Sequence, residues 1–260
     1  MFIDREQELR ELRALLEEGT PQLALLYGRR RVGKTFLLNH AWPPERTFYW
    51  TASETTSAQN REQLIRDLSE WSRQPLDPRD YPTWRTVFRL LLETRSGEPL
   101  AIVLDEFQYL GEERGLAVVA SELNAAWEQR RPPRPLVLAL AGSAVSLMEA
   151  LDEGGAPLHG RFSWKGELSP FDYWHAAKMA AFRSLRDRAR AYAVFGGTPR
   201  YLDVVKPGRS LADNATRLML SPRGEVRGLI ETAILQEQGL REIPKYQAIM
   251  RAIGGGCTEL

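Results

Sequence analysis

The sequence predicts an α/β protein built on a parallel β-sheet. Apolar, strand-like runs alternate with amphipathic helical segments over the first two thirds of its 260 residues. One of these runs, LAIVL at residues 100–104, is continuously apolar, which is typical of a parallel strand that is buried on both faces. Ligands of such sheets bind at the carboxyl ends of the strands. Polar residues that directly follow a strand are therefore candidates for a functional site.

An amphipathic helix is predicted near the start of the chain. Asp4 and Gln7 have the spacing of a capping box. Leucines follow at positions 9, 12, 15 and 16, and Gly19 provides a stop. The apolar run at residues 23–27 then predicts the first strand.

Residues 28–35 (GRRRVGKT) match G-x-x-x-x-G-K-[ST] between a predicted strand and a predicted helix, as in a phosphate-binding loop. The glycines let successive backbone N–H groups turn towards phosphate oxygens. Lys34 can reach the outer phosphates as a point charge, and the Thr35 hydroxyl can complete a magnesium shell. The alternative is a glycine turn beside a surface lysine, and the flanking strand and helix argue against it. We expect a nucleotide to be bound by Gly28, Arg29, Arg30, Arg31, Val32, Gly33, Lys34, Thr35 and Phe36.

The alternation of strands and helices continues to residue 168. A proline-rich turn at residues 75–82 separates two of the helices, and Pro132 and Pro133 end a third. Further strands are predicted at residues 47–51, 100–104, 136–141 and 162–168, and helices at residues 58–71, 84–94 and 116–129.

Asp105 and Glu106 directly follow the apolar strand at residues 100–104. A carboxylate at the end of a strand can hold magnesium through water, and an adjacent glutamate can orient and deprotonate an attacking water. The alternative is a pair of acidic residues without a function at a strand end. With the phosphate-binding loop upstream, the pair predicts attack by water rather than phosphate transfer to a metabolite.

Two further residues are candidates because of their places next to strands. Ser143 follows the fourth strand, so its hydroxyl is expected beside the γ-phosphate or the attacking water, and a turn that caps a helix is the alternative. Arg161 precedes the fifth strand and is a candidate finger on a neighbouring subunit's nucleotide, where such an arginine is worth ~10³–10⁵ in rate. A surface or salt-bridged arginine is the alternative. The three histidines lack ligand spacing, which disfavours a transition-metal site.

Composition limits the classes of partner and compartment. With 43% hydrophobic residues, 27% charged residues and a net charge of +1, the chain as a whole does not indicate a nucleic-acid or membrane surface. The arginines at positions 29–31 resemble a nucleic-acid patch, but the variable middle of a phosphate-binding loop is the simpler account. The charged start is not a signal sequence. Cys257 is the only cysteine, which fits a reducing compartment, so we expect a cytoplasmic protein without membrane contact.

The alternation stops at Ser169 and Pro170, which predicts a boundary near residue 169 and an α-helical second domain. An amphipathic helix opens at residues 244–253, and the chain ends soon after at Leu260. We therefore expect a longer protein that has been cut short, or a fragment. The helices of the second domain are predicted at residues 173–182, 185–195, 201–205, 211–220 and 225–238.

Several stretches together resemble the prokaryotic archaeal-type ATPases, a branch of the STAND P-loop NTPases that is related to AAA+ and origin-recognition proteins. They span the chain from Phe2 to about Asp203. The stretches are FIDREQELREL, LLYGRRRVGKT, IVLDEFQYL, LALAGSAVSLMEAL, LHGRFSWKGELSPFDY and FGGTPRYLD.

This resemblance implies a five-stranded core with the spatial strand order 5-1-4-3-2, then a helical lid, then a winged helix. The implied domains are a P-loop ATPase core at residues 1–168, a lid at residues 169–222 and the incomplete start of a winged helix at residues 223–260.

The resemblance also implies roles for individual residues. Lys34 and Thr35 bind phosphate and Mg²⁺, and Asp105 holds Mg²⁺. Glu106 is the catalytic base, and Ser143 is a sensor of the γ-phosphate. These roles agree with those expected from the residue types and their positions.

Phe2, Arg5 and the turn at Pro199 pack near the adenine if the resemblance holds. The predicted function is a cytoplasmic switch that hydrolyses ATP with Mg²⁺, with ATP bound between core and lid and their angle changed by hydrolysis. A DNA or protein partner binds through the winged helix in this view, and a homo-oligomer is left open. The alternatives are a DNA-associated, origin-recognition-like ATPase and a nucleotide-binding scaffold that does not hydrolyse.

Overall fold

A five-stranded parallel sheet forms the centre of the first of two units, Met1–Phe171 and Asp172–Leu260, in the computed structural model. The structure describes residues 3–94, 100–111, 115–130 and 135–235, together with five single residues beyond them. The division into a core at residues 1–168, a lid at 169–222 and a winged helix at 223–260 stays a prediction.

The strand order in the sheet is β2-β3-β4-β1-β5, and all neighbouring strands pair in parallel. From the opposite edge this order is 5-1-4-3-2, so the predicted fold class and strand order are confirmed. Because all strands run in one direction, their carboxyl ends meet at one edge of the sheet. The strands are β1 (Pro21–Tyr27), β2 (Thr47–Thr51), β3 (Leu100–Asp105), β4 (Leu136–Gly142) and β5 (Trp164–Glu167).

Six α-helices accompany the sheet within the described part of the first unit. Short 3₁₀ turns lie at Pro44–Arg46, Pro78–Asp80 and Phe107–Gly111. The α-helices are α1 (Glu6–Glu17), α2 (Lys34–Ala41), α3 (Ser57–Ser72), α4 (Trp84–Glu93), α5 (Leu116–Glu128) and α6 (Val145–Glu149).

Helices cover both faces of the sheet, because alternate residues of a strand point to opposite sides. On one face, Ile102 and Leu138 belong to a buried cluster that includes residues of α3, α4 and α5. On the other face, Val103 and Ala139 belong to a cluster with residues of α1 and α2. The strands β3 and β4 are buried along their whole length, which explains the continuous apolar run at residues 100–104.

The predicted capping box at the start of α1 is wrong. The helix begins at Glu6, its N-cap is Arg5, and no side chain caps it. Asp4 and Arg5 have left-handed φ values of 59° and 74°, so the Asp4 side chain is not placed as a cap. Gln7 donates its side-chain amide to Glu11 at 2.8 Å instead. Capping boxes do form at the starts of α3 and α4.

The fifth strand is shorter than the predicted range of residues 162–168. Its four residues pair only with the second half of β1, from Ala24 to Tyr27. Single backbone hydrogen bonds continue the contact at both ends, from Ser163 N–H to Leu23 O at 2.8 Å and from Leu168 N–H to Tyr27 O at 2.7 Å.

Within residues 172–235 of the second unit, the regular secondary structure is entirely helical, with loops between the helices. The helix predicted at residues 211–220 divides into an α-helix and a π-helical turn at Thr216–Leu220. Buried Asn214 exchanges hydrogen bonds with the backbone N–H and carbonyl of Lys206, both at 2.9 Å. The helices are α7 (Tyr173–Ala180), α8 (Leu185–Phe195), α9 (Pro199–Asp203), α10 (Leu211–Ala215) and α11 (Glu225–Leu235).

Of the helix predicted at residues 244–253, the structure describes residues 245, 248, 249 and 252, which are helical, and the others lie outside the described residues. Among the helices that the structure describes, none combines the length and the apolar character needed to cross a bilayer.

Candidate nucleotide site

The phosphate loop (residues 28–35) follows the carboxyl end of β1 and leads into α2, and it needs glycine at two of its positions. Gly28 has a φ of 150°, and a Cβ atom there would lie 2.2 Å from the Leu168 carbonyl oxygen. Gly33 is the N-cap of α2 with a φ of 102°. Residues other than glycine rarely adopt such φ values. The glycine spacing in the motif therefore has a direct structural cause.

Lys34 lies inside the phosphate loop and is only 6% exposed. Its ammonium group donates to the carbonyl oxygens of Gly28 at 2.7 Å and Arg29 at 3.2 Å. Burial lowers the pKa of Lys34 from its ordinary value, and the charges of Glu106 and Asp105 partly oppose this. The loop lysine and both carboxylates are thus close enough to affect one another.

Thr35, Tyr49 and Asp105 form a hydrogen-bonded set, here called the Asp105 group. The Thr35 hydroxyl donates to Asp105 Oδ2 at 3.2 Å, and the Tyr49 hydroxyl donates to the same oxygen at 2.5 Å. Burial first, and then the charge of Asp105, raises the pKa of Tyr49 above its ordinary value. Tyr49 therefore keeps its proton and acts as a donor.

The Asp105 group fits a magnesium ion. Mg²⁺ takes hard oxygen ligands in octahedral geometry at about 2.0–2.1 Å, so adjacent ligand oxygens lie about 3 Å apart. The oxygens of Thr35 and Asp105 are 3.2 Å apart. Thr35 is exposed and can change partner without opening the core.

Glu106, Gln108 and Ser143 form a second hydrogen-bonded set, here called the Glu106 group. Glu106 Oε2 accepts from the Ser143 hydroxyl at 2.6 Å and from its backbone N–H at 3.3 Å. It also accepts from the Gln108 amide, which donates to the Ser143 hydroxyl at 3.2 Å as well. The set joins the carboxyl ends of β3 and β4, and it fixes the direction of one Glu106 oxygen.

Sequence reasoning missed Tyr49 and Gln108. Tyr49 lies on β2, which pairs with β3 in the register Tyr49 to Val103. Val103 and Asp105 share a face of β3 because they are two residues apart, and this places Tyr49 within reach of Asp105. Only the strand order could have indicated Tyr49. Gln108 lies in a 3₁₀ turn after β3 and carries no recognisable spacing.

The remaining loop residues have varied surroundings. The Arg30 guanidinium donates to the Tyr109 hydroxyl at 2.5 Å, and Arg29 is exposed. Arg31 has a left-handed φ of 70°, and Val32 is buried in the core. Phe36 is exposed, and its ring packs against the ring of His40 at an interplanar angle of 34°, with centroids 4.2 Å apart.

Arg161 forms a half-exposed salt bridge with Glu128, with a nitrogen–oxygen distance of 3.1 Å. This is the alternative that the sequence left open for this arginine. The finger role on a neighbouring subunit stays a prediction.

The expected contacts of Phe2, Arg5 and Pro199 with the adenine stay predictions. Phe2 lies outside the described residues. The Arg5 guanidinium donates to the Ser169 carbonyl and lies 5.5 Å from the centre of the Phe171 ring. Pro199 begins α9 in the second unit. By contrast, Lys34 and the Asp105 and Glu106 groups all lie at the carboxyl edge of the sheet.

Comparison with known sequences agrees with this geometry. Residues 2–205 match the family described as an ATPase domain predominantly from Archaea. The Methanocaldococcus jannaschii protein MJECL04 is 25% identical over 207 residues, which are 79% of this chain and 44% of that protein. The ATP-binding protein MJ0423 of the same organism is 50% identical over 38 residues, 15% of this chain and 64% of that protein. The chain thus spans less than two thirds of either relative.

Solved structures with the same fold include ATPases and origin-recognition proteins. The Walker-type ATPase PABY2304 of Pyrococcus abyssi has a TM-score of 0.64 and 25% identity, over 98% of this chain and 80% of that one. The Aeropyrum pernix ORC2 protein in its ADP form has a TM-score of 0.56 and 15% identity, over 78% and 62%. The ORC1 protein of that organism, solved with DNA, has a TM-score of 0.54 and 16% identity, over 78% and 59%.

The ORC similarities are evidence for a shared fold only, because the identities are low. The family match covers residues 2–205, more than three quarters of the chain, and it rests on sequence rather than on fold. The predicted family is confirmed, whereas the placement in the STAND branch stays a prediction. The chain belongs to the family of ATPase domains found predominantly in Archaea, and it is an ATP-binding domain of the Walker type.

Proposed function

We propose that the chain hydrolyses ATP with Mg²⁺ and that the hydrolysis cycle drives a molecular switch. The observation that carries this proposal is the meeting of two sequence-distant parts at one edge of the sheet. The phosphate loop contributes Lys34 and Thr35, and the end of β3 contributes Asp105 and Glu106. This is the set of groups that phosphoryl transfer to water requires.

Lys34 binds the outer phosphates of ATP. Its ammonium N–H groups now donate to the carbonyls of Gly28 and Arg29, and phosphate oxygens entering the loop offer it charged acceptors, which form stronger hydrogen bonds than neutral ones. Thr35 and Asp105 hold Mg²⁺, directly or through water. The metal, when bound, neutralises charge that develops on the phosphate oxygens.

Glu106 is the general base. It takes a proton from a water molecule, the water oxygen forms a bond to the γ-phosphorus, and the bond to the β–γ bridging oxygen breaks to leave ADP and phosphate. Ser143 and Gln108 occupy one carboxylate oxygen, Oε2, as donors. The remaining oxygen, Oε1, is the one that accepts the proton of the water.

The switch consists of a response of the second unit to the state of the nucleotide. A DNA or protein partner that binds through residues 223–260 then receives the change, and a homo-oligomer would bring Arg161 to a neighbouring nucleotide. A DNA-associated ATPase is the second candidate function, because an ORC1 protein with the same fold was solved with DNA.

Single-turnover hydrolysis, with enzyme in excess over labelled ATP, tests the enzyme part of the proposal. We expect hydrolysis that requires Mg²⁺, loss of ATP binding in Lys34→Ala, and an ATP-binding Glu106→Gln protein whose rate falls ~10²–10⁴-fold. If the unmodified chain did not hydrolyse ATP, the proposed ATPase would be wrong and the alternative of a non-hydrolysing scaffold would remain. A normal rate in Glu106→Gln would remove the assignment of the base.

The Glu106→Gln protein also tests the switch, because it holds ATP without converting it. Hydrogen exchange of the amides in residues 172–235 is compared between this protein with ATP and with ADP. We expect the two nucleotides to give different protection. Equal protection in both states would contradict the switch while leaving the ATPase intact.

A further inference from the structure

The net charge of +1 conceals an unequal distribution between the two units. Residues 1–171 carry 21 Lys and Arg against 25 Asp and Glu, a net charge of −4. Residues 172–260 carry 14 Lys and Arg against 9 Asp and Glu, a net charge of +5. A positive field of this kind attracts polyanions, so the second unit is the part of the chain whose charge suits an anionic partner.

Three arginines of the second unit line one groove of about 890 Å³. Arg183 directly precedes the N-cap of α8, and Arg190 lies seven residues further, two turns along the same helix. Arg209 lies on the opposite wall, next to the N-cap of α10. The three side chains are exposed. The groove thus presents three guanidinium groups to solvent.

The guanidinium groups of these three arginines have no hydrogen-bond or ion-pair partner among the residues that the structure describes. Asp187 also lines the groove, yet it forms no ion pair with them within residues 172–235. Elsewhere in the unit, Arg200 pairs with Asp203 and Glu225 at 3.4 and 2.8 Å.

Other arginines of the unit also have partners within it. Arg227 pairs with Glu231 at 2.9 Å, and Arg217 donates to the Val204 carbonyl at 2.9 Å. The unit therefore satisfies several of its arginines internally, and the three that line the groove are among those left available to an external anion.

We propose that this groove binds the phosphate backbone of a nucleic-acid strand. Guanidinium groups form bidentate hydrogen bonds with phosphate, and the groove is larger than a single phosphate requires. Its walls also include apolar Val194 and Leu211, which can contact sugars. The site needs neither ATP nor the residues of the phosphate loop, so it stands independently of the proposed ATPase.

Fluorescence anisotropy with labelled oligonucleotides of about 20 nucleotides, single-stranded and duplex, tests this site between about 50 and 200 mM salt. We expect the unmodified chain to bind at least one of them with an affinity that falls as salt rises. In the triple variant Arg183→Gln, Arg190→Gln, Arg209→Gln, affinity should fall ~10-fold or more, and the log–log salt slope should shrink by about 2 to 3.

A control variant of equal charge separates the groove from the net charge of the unit. Lys178, Arg186 and Arg223 are exposed, and they lie outside the residues that line the groove. Replacing all three by Gln should change affinity much less than the groove variant does. Circular dichroism confirms that both variants are folded.

Several results would overturn the proposal. They are equal losses in the two triple variants, no binding of either oligonucleotide by the unmodified chain, or full competition by an equimolar phosphopeptide. Lys34→Ala should bind the oligonucleotide as the unmodified chain does. A failure of ATP hydrolysis is thereby distinguished from a failure of this site.

Discussion

Asp105 and Glu106 are neighbours in sequence, yet they have different partners. Asp105 ends β3 and accepts from the hydroxyls of Thr35 and Tyr49. Glu106 follows with a left-handed φ of 53° and accepts from donors of Ser143 and Gln108. Because the chain turns out of the strand between them, the two carboxylates are held by separate sets of residues.

The difference between these sets indicates a division of labour. In the Asp105 group, hydroxyl oxygens surround a carboxylate, and such oxygens suit a magnesium ion. In the Glu106 group, hydroxyl, amide and backbone N–H donors act on one oxygen, and in the proposed mechanism the other oxygen accepts the proton of the water. Changes in the first group should alter metal dependence, and changes in the second should alter the chemical step.

Asp105→Asn provides the strongest way to break this comparison. The change keeps the shape of the side chain but removes the charge, so ATP affinity should lose its dependence on Mg²⁺. Hydrolysis should fall by ~10²-fold or more, since even the outer residues of metal sites are worth 10–100-fold. Calorimetric titration of ATP with Mg²⁺ and with EDTA measures the effect on binding.

Glu106→Gln is the matched control for Asp105→Asn, because each replaces a carboxylate by its amide at adjacent positions. The Glu106→Gln protein should keep the full effect of Mg²⁺ on ATP affinity. If both proteins lost that effect equally, the separation of the two groups would be wrong.

Ser143→Ala sharpens the comparison within the Glu106 group. It removes the donor that lies 2.6 Å from Glu106 Oε2, and a hydrogen bond to a charged group is worth about 1.5–3 kcal/mol. We expect the single-turnover rate to fall ~10–100-fold, with ATP affinity and Mg²⁺ requirement unchanged. An unchanged rate would show that Ser143 serves only the turn after β4.

The residues that could be predicted from the sequence are those whose backbone setting is local. Gly28, Gly33 and Lys34 belong to one loop, and the geometry of that loop fixes their spacing. Asp105 follows β3, and the continuous apolar run of β3 is enough to predict that strand. The capping box of Asp4 failed for a non-local reason. Arg5, beside it, is held by the distant Ser169 carbonyl and has a left-handed φ, and no local spacing contains that contact.

Partners that depend on strand order could not be predicted in the same way. The strand β2 lies next to β3 although a long segment separates them in sequence, so Tyr49 is near Asp105 only in the folded sheet. The length of β5 could not be predicted for the same reason, because β5 is an edge strand and its length depends on its pairing with β1. The net charge of the whole chain also does not reveal that the second unit is basic, because the negative charge of the first unit offsets the positive charge of the second.

Tyr49→Phe tests the smallest effect, and it decides to which group this tyrosine belongs. The Tyr49 hydroxyl donates to Asp105 Oδ2. Loss of this hydroxyl should leave the aromatic ring packed in place, but the Asp105 carboxylate should be less firmly oriented. We expect the Mg²⁺ concentration that half-saturates ATP binding to rise ~10-fold, with ATP affinity in EDTA unchanged. The rate at saturating Mg²⁺ should remain close to that of the unmodified chain.

Tyr109→Phe is the control for this change, because the Tyr109 hydroxyl bonds Arg30 of the phosphate loop at 2.5 Å and not Asp105. It should leave the Mg²⁺ requirement unaltered. If Tyr49→Phe instead lowered the rate at saturating Mg²⁺ without raising the requirement, Tyr49 would act on the chemical step. The division between a metal-holding carboxylate and a water-activating carboxylate would then not extend to the residues around them.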